Sequence, residues 1–556
     1  MKLAFDNDKY IKEQSAKIVE RISHFDKLYL EFGGKLFDDA HASRVLPGFL
    51  PDSKLRMLLN IKEKTEIIIT INAKDIEKTK IRGDNGISYD TEAIRLKSAL
   101  EDFGFLVSAI VITQFDYQEK VLKYCQYLDN LGIKNYKTYD IDGYPNKLEK
   151  IISDQGFGKN DHVKTTRPLV VVTGPGPGSG KMATCLSQMY LDHENGVNAG
   201  YAKFETFPIW NLPLKHPVNM AYEAATADLD DVNMIDPYHL EAYGKSAVSY
   251  NRDVEAFPIL KKMFEKIMGK SPYMSPTDMG VNMAGFCIVD DNAAKDASKA
   301  EIIRRYYNTL VDYRMAKESF HTLEKIQMLM SQLEISADDR IVALEARERA
   351  KNAGTEAFAI ETQDGEIITG KKSDLLSAPA ACILNVLKKL GKLDEEILLI
   401  SPHIIEPVSD LKTKDLGGNE TSLSVNEMLI ALSISATTNP LTHMAIKQLG
   451  KLKNLDAHST VILNDSQKSM LRKLGLNFTQ DPEFSEEDYR EEKTSPCKIL
   501  QEACFLILTI VKFYIVEVKI YIIISIILVN FCHIFVHFPN HVYDKFPQRF
   551  LAKHLI

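Results

Sequence analysis

Three short runs, "TEIIITI" at 65–71, "VSAIVIT" at 107–113 and "PLVVVT" at 168–173, place apolar side chains at consecutive positions. Successive side chains of an extended chain point to opposite faces, so such runs are apolar on both faces and must be covered on both. The stretches between them, including 91–102 and 117–131, carry helical spacing instead. Strands alternating with helices in this way predict an α/β fold built on a parallel sheet. "KLYLEF" at 27–32 adds a fourth strand, after a helix over 8–22 that sets Ile11, Ile18, Val19 and Ile22 near one face.

From about 217 to 350 the pattern turns helical. Ile303, Tyr306, Leu310 and Tyr313, then Phe320, Leu323, Ile326, Met330 and Leu333, recur at three and four residues, and core packing explains both stripes. Beyond "KNAGTE", the segment "AFAIETQDGEIITG" alternates on either side of Asp364-Gly365, a hairpin-turn dipeptide. A helix capped at Ser377 and stopped at Gly391 follows. "EILLIS", helices over 424–437 and 443–453, the strand "TVIL" and a helix to Gly475 complete a second α/β unit. A single core stops growing at about 250–300 residues, and this chain has 556. The expected organisation is an α/β domain over 1–216, a mostly helical domain over 217–350, a smaller α/β domain over 351–490, and an atypical apolar tail over 491–556.

The third apolar run continues into the segment of greatest chemical interest, "VVVTGPGPGSGKMAT" at 170–184. A strand, a glycine-rich turn and a helix in that order turn backbone N–H groups toward a bound anion, and the helix N-terminus adds partial positive charge. Gly176, Gly178, Ser179 and Gly180 would form the cradle, and Lys181 would supply the full charge. Against the nucleotide-loop pattern G-x-x-x-x-G-K-[ST], Gly180 and Lys181 match. Pro175 takes the first glycine position, and Met182 stands where a hydroxyl should seat magnesium. The nearest hydroxyl is Thr184. The expected ligand is a nucleotide, such as a nucleoside phosphate with Mg, or another phosphorylated small molecule.

Residues 203–253 are dense in polar and aromatic groups, among them Lys203, Glu205, Lys215, His216, Asp231, Arg252 and the single tryptophan, Trp210. They read either as a pocket wall or as a solvated acidic surface. Asp236 and His239, three apart, would share a helix face as an acid/base pair, with Lys181 and Lys203 as the other catalytic candidates. Pro237 equally makes Asp236 a helix cap. "GFCIVDD" at 285–291 has the form of a strand that ends in a metal-binding aspartate, Asp290. Ser275, Thr277 and Asp278 are ligands or caps, and Lys35, Arg44 and Arg82 are cations that could reach the same anion.

Several classes fall away. The formal net charge is −8 and no basic stripe is present, which argues against nucleic acid as a partner. None of the seven cysteines forms a C-x-x-C, so there is no zinc signature, and the cysteine usage fits a reducing cytoplasm. G-x-S-x-G and H-E-x-x-H are absent, and "MKLAFDNDKYIKEQ" does not read as a secretory signal. In the tail, the 18 residues 521–538 lack Asp, Glu, Lys and Arg. They read as a weak membrane anchor or as translated read-through or frameshift, so a membrane partner is expected only if the tail is genuine. Homo-oligomerisation stays open.

"EFGGKLFDDAHASRVLPGF", "DIEKTKIRGDNGISYD", "GPGPGSGKMATCLSQMY", "KFETFPIWNLPLKHPVNMAYEAAT", "DVNMIDPYHLEAYG" and "SPTDMGVNMAGFCIVDD" together resemble a bacterial family described as domain of unknown function 1846, over about residues 1–480. The resemblance implies a multidomain α/β protein with a helical part and supplies no activity. Two functions follow from the residues: a nucleotide- or phosphometabolite-dependent transferase or ligase, or a non-catalytic phosphate-ligand sensor or assembly protein.

Overall fold

The computed structural model describes residues 2–485 apart from 35, 38, 83–85 and 419. Among them, strands β1 (Lys27–Phe32), β2 (Thr65–Asn72), β3 (Leu106–Phe115), β4 (Asn135–Tyr139), β5 (Leu169–Thr173) and β6 (Ala199–Phe204) alternate with helices. After β7 (Asn233–Ile235) and β8 (Val248–Tyr250), which pair with each other, comes the short β9 (Gly280–Val281). Seven of these form one sheet in the order β4-β3-β2-β5-β1-β6-β9, and every pairing in it is parallel.

The doubly apolar runs behave as their pattern requires. Ile67, Ile69 and Val171 pack into one core with the helices Asn7–Ile22 and Tyr89–Asp102. Ile68, Val170 and Val172 pack into the core on the opposite face, with the helices Lys181–Glu194 and Asn251–Met268. Each such side chain, fully buried, contributes about 1.5–3 kcal/mol. Glu66, buried at the start of β2, accepts from the backbone N–H groups of Thr166 (2.7 Å) and Arg167 (3.0 Å). It thereby fixes where β5 begins, and so where its carboxyl end emerges.

The chain runs outward from β2 to β4, returns to the middle of the sheet at β5, and then proceeds outward on the other side through β6 and β9. The loop after β5 therefore lies where the strand order changes direction, the place where open α/β sheets bind ligands.

A second sheet comprises β10 (Ala357–Glu361), β11 (Ile367–Lys371), β12 (Asp456–Ser459) and β13 (Asn477–Gln480), in the order β11-β10-β12-β13. The β10–β11 hairpin turns at Asp364-Gly365 as expected, with Gly365 at φ 83°. Residues 1–482 form one compact unit; of residues 483–556, only 483–485 are described. Within residues 217–350, long helices Asp291–Arg314 and Phe320–Gln332 dominate, although β9 from the same stretch joins the large sheet.

Some expected elements differ. "EILLIS" is irregular, because burial of Leu399 and Ile400 is met without strand pairing. The strand expected at "TVIL" lies one step earlier, at β12, and the helix expected over 443–453 is Pro440–Ile446 followed by the 3-10 turn Leu449–Leu452. "GFCIVDD" is no strand: Ala284–Cys287 is a 3-10 turn, and Asp290 caps the helix Asp291–Arg314 by accepting from the Ala293 N–H at 3.0 Å. No helix among the described residues is long and apolar enough to cross a membrane. The tail over 491–556 lies outside the described residues.

Candidate functional site

At the carboxyl edge of the large sheet, a cavity of about 690 Å³ opens over the loop that follows β5. Neighbouring strands hold this loop by its oxygen atoms. Asn72 Nδ2 donates to the Gly178 carbonyl (3.1 Å), Thr113 Oγ1 to the Ser179 carbonyl (3.0 Å), and Thr70 Oγ1 to the Thr173 carbonyl and the Ser179 hydroxyl (3.1 Å each). These bonds tie the Thr173, Gly178 and Ser179 oxygens to the sheet. Among the described residues, no acceptor meets the backbone N–H groups of Gly178, Gly180, Lys181, Met182 or Ala183. Gly180 starts the helix at φ 85°, and a Cβ there would lie 2.7 Å from the Thr113 side chain.

Lys181 folds back over the loop, its ammonium donating to the Gly176 carbonyl (3.2 Å) and the Ser179 hydroxyl (3.4 Å). Burial pushes it below the ordinary lysine range, with Glu31 pulling the other way. A second cation, Lys203 at the end of β6, meets Asp253 (2.5 Å) and Glu205 (2.9 Å) in the same cavity wall. Burial alone would lower Lys203, but Asp253 and Glu205 outweigh it and hold the ammonium above its usual range. Burial, reinforced by Asp253, pushes the Glu205 carboxyl up against the pull of Lys203. On a third side, Arg95 grips Glu92 through two bonds (2.7 and 2.8 Å), and Arg82 meets the same carboxylate at 2.5 Å.

Residues 3–334 match the family described as "Domain of unknown function DUF1846, N-terminal", and residues 338–489 match its C-terminal counterpart. The chain belongs to the DUF1846 family. It is 54% identical over 484 residues to the UPF0371 protein SUB1165 of Streptococcus uberis, an alignment covering 87% of this chain and 98% of that protein. UPF0371 proteins of Streptococcus pneumoniae strains CGSP14 and JJA match with the same identity and coverage. The two matched DUF1846 parts adjoin in the sequence between β9 and β10.

In this DUF1846 chain, Gly176, Gly178, Lys181 and Lys203 line the cavity, together with Glu205, Asp231 and Arg252 from the polar 203–253 segment. Ser179 lies beneath the loop as a buttress, and Gly180 forms the turn into the helix. Thr184 is fully buried behind the loop, and its hydroxyl has no partner among the described residues. Met182, at the hydroxyl position of the standard loop, does line the cavity, but a thioether is a poor ligand for a hard cation. Among the described residues, no three His, Cys, Asp or Glu side chains are grouped to hold a metal ion.

Asp236 and His239 are brought together elsewhere. Asp236 caps the helix Pro237–Tyr243, accepting from the N–H groups of Tyr238 and His239 (3.0 Å each) and from Thr277 N and Oγ1 (3.1 and 2.6 Å). His239 Nδ1 meets Ser275 Oγ at 3.0 Å. This is a saturated structural knot that ties in Thr277 and the short helix capped by Ser275. Arg44 pairs with Glu301 instead of reaching the loop, and Lys35 lies outside the described residues. Reasoning from sequence missed Glu31, Tyr250 and Asp253. Glu31 had a signal, since it precedes the last residue of a strand whose carboxyl end faces the site.

Proposed function

We propose that the cavity binds a phosphorylated small molecule or a nucleotide through its phosphate, and that the protein uses this ligand in phosphoryl transfer or ATP-dependent ligation. The observation that carries the reading is the set of N–H groups at Gly178 and over residues 180–183 without acceptors among the described residues, placed at a helix N-terminus beside a half-buried lysine. A cation at that end of a helix opposes the dipole unless an anion joins them. Phosphoryl chemistry depends mainly on positioning and on stabilising charge. Lys203, kept charged by its carboxylates, supports the catalytic reading as a further cation at the same cavity. Met182 favours a second reading, a phosphate-ligand sensor, because the loop's own residues give magnesium no hydroxyl.

Thermal unfolding with inorganic phosphate, nucleotides and sugar phosphates, with and without magnesium, tests this. A ligand at 100 times its dissociation constant adds about 2.7 kcal/mol. The wild type gains that stabilisation and Lys181→Ala loses most of it. A full shift in Lys181→Ala would reject the loop as the site, and binding without turnover would favour the sensor.

A further inference from the structure

The cavity is larger than a phosphate, and part of its wall has a different chemistry. Glu31, Glu205, Asp231 and Asp253 line it against two cations, Lys203 and Arg252. Arg252 approaches Asp231 only to 3.4 Å and is largely exposed. A second phosphate would face repulsion here. Glu205 and Asp231 bring carboxyl oxygens that accept hydrogen bonds from hydroxyls, and burial pushes both groups up.

The second observation is Tyr250. It lines the cavity and is 4% exposed, yet its hydroxyl is buried without a partner among the described residues. Orphaned buried hydroxyls are costly, and they call for a partner that arrives later. The aromatic faces nearby are already used: Tyr222 stacks on Phe207 (4.8 Å, 17°) and on Tyr250 (6.2 Å, 29°). That leaves little free face for a nucleobase to stack on, whereas carboxyl groups and a phenol suit a ring of hydroxyls.

We infer that the ligand is a sugar phosphate, its phosphate on the loop of residues 176–181 and its hydroxyls on Tyr250, Asp231 and Glu205. This deepens the phosphate-binding reading above and rests on it. Tyr250 and Asp231 set specificity for the polyol end, and Lys181 sets affinity for the phosphate end.

The test is binding by calorimetry of full-length protein to inorganic phosphate, hexyl phosphate, a panel of pentose and hexose phosphates, the unphosphorylated sugars and ATP. In the wild type, at least one sugar phosphate binds tenfold or more tighter than inorganic phosphate, hexyl phosphate and ATP. Tyr250→Phe weakens that sugar phosphate about tenfold, the loss of one buried hydrogen bond, and leaves inorganic phosphate unchanged. Removal of an unpaired hydroxyl does not destabilise the free protein, so the variant folds; Asp231→Asn gives an independent check of the same preference. Equal affinity for sugar phosphates and hexyl phosphate, or a preference for ATP, overturns the polyol assignment while phosphate binding stands. Sugar-phosphate binding that survives Lys181→Ala at full strength overturns the phosphate loop instead.

Discussion

Lys181 and the glycines before it were legible as single residues because their spacing reports a local turn, and the turn is where they act. Gly180 shows how narrow that turn is. An alanine there must adopt φ near 85° and bring its Cβ to 2.7 Å from Thr113. A left-handed backbone costs an L-residue about 1–2 kcal/mol before any clash. Gly178 has φ 75°, but a methyl group added there would find no atom within 4 Å, so it bears the backbone cost alone. Urea unfolding should therefore rank Gly180→Ala below Gly178→Ala, by about 1 kcal/mol or more, and an inverted ranking would contradict the loop geometry. Asp253 and Tyr250 carried no signal of this kind. They reach the cavity through a three-residue strand and a helix start, and only the tertiary arrangement brings them to the cavity wall that holds Lys203.

At the scale of elements, the doubly apolar strands β2, β3 and β5 were readable because burial on both faces leaves no room for polar alternation. β6, "AGYAKF", was not, since small residues let Tyr201 and Tyr29 pack across it and its lysine points to the site. β4 is an edge strand whose residues are mostly half-buried, and β9 has only two residues. Elements are also tied by polar groups that periodicity does not report. Asp192, near the end of the helix Lys181–Glu194, accepts from Tyr29 (2.8 Å), contacts His162 (2.9 Å) and pairs with Lys27 (2.9 Å). Burial would raise its carboxyl, but the bonds from His162, Lys27 and Tyr29 prevail and hold it below the ordinary range. A carboxyl depressed in the folded state stabilises above its unfolded pKa and loses that contribution as pH falls through the folded value. Asp192→Asn should cost about 2 kcal/mol at neutral pH, and the gap to wild type should narrow in acid. A gap that stays constant down to about pH 2 would count against this pairing.

Across the whole molecule, charge ties the small sheet to the long helix Asp291–Arg314. Arg304, from the long helix Asp291–Arg314, and Arg340 both reach Asp456 at the start of β12 (3.0 and 3.2 Å). Arg340 also donates to Thr479 Oγ1 at 2.8 Å, in β13. Removing the shared carboxylate leaves two buried guanidinium groups facing each other. Asp456→Ala should lower the unfolding free energy by about 3 kcal/mol, and a loss below about 0.5 kcal/mol in denaturant titration would show that the helix and the small sheet cohere without it. This junction was invisible in the sequence, where Arg304 and Asp456 stand 152 positions apart.

The oxygen-side grip on the loop has a kinetic meaning. Thr70 and Asn72 lie 109 and 106 positions from the loop atoms that they hold, so the cradle exists only once β2, β3 and β5 have assembled. A ligand that needs the cradle meets nothing to bind early in folding, when such distant contacts are still unmade. It should slow unfolding in proportion to its occupancy and leave the refolding rate almost unchanged, so that saturating the site lengthens the lifetime of the native protein without hastening its birth.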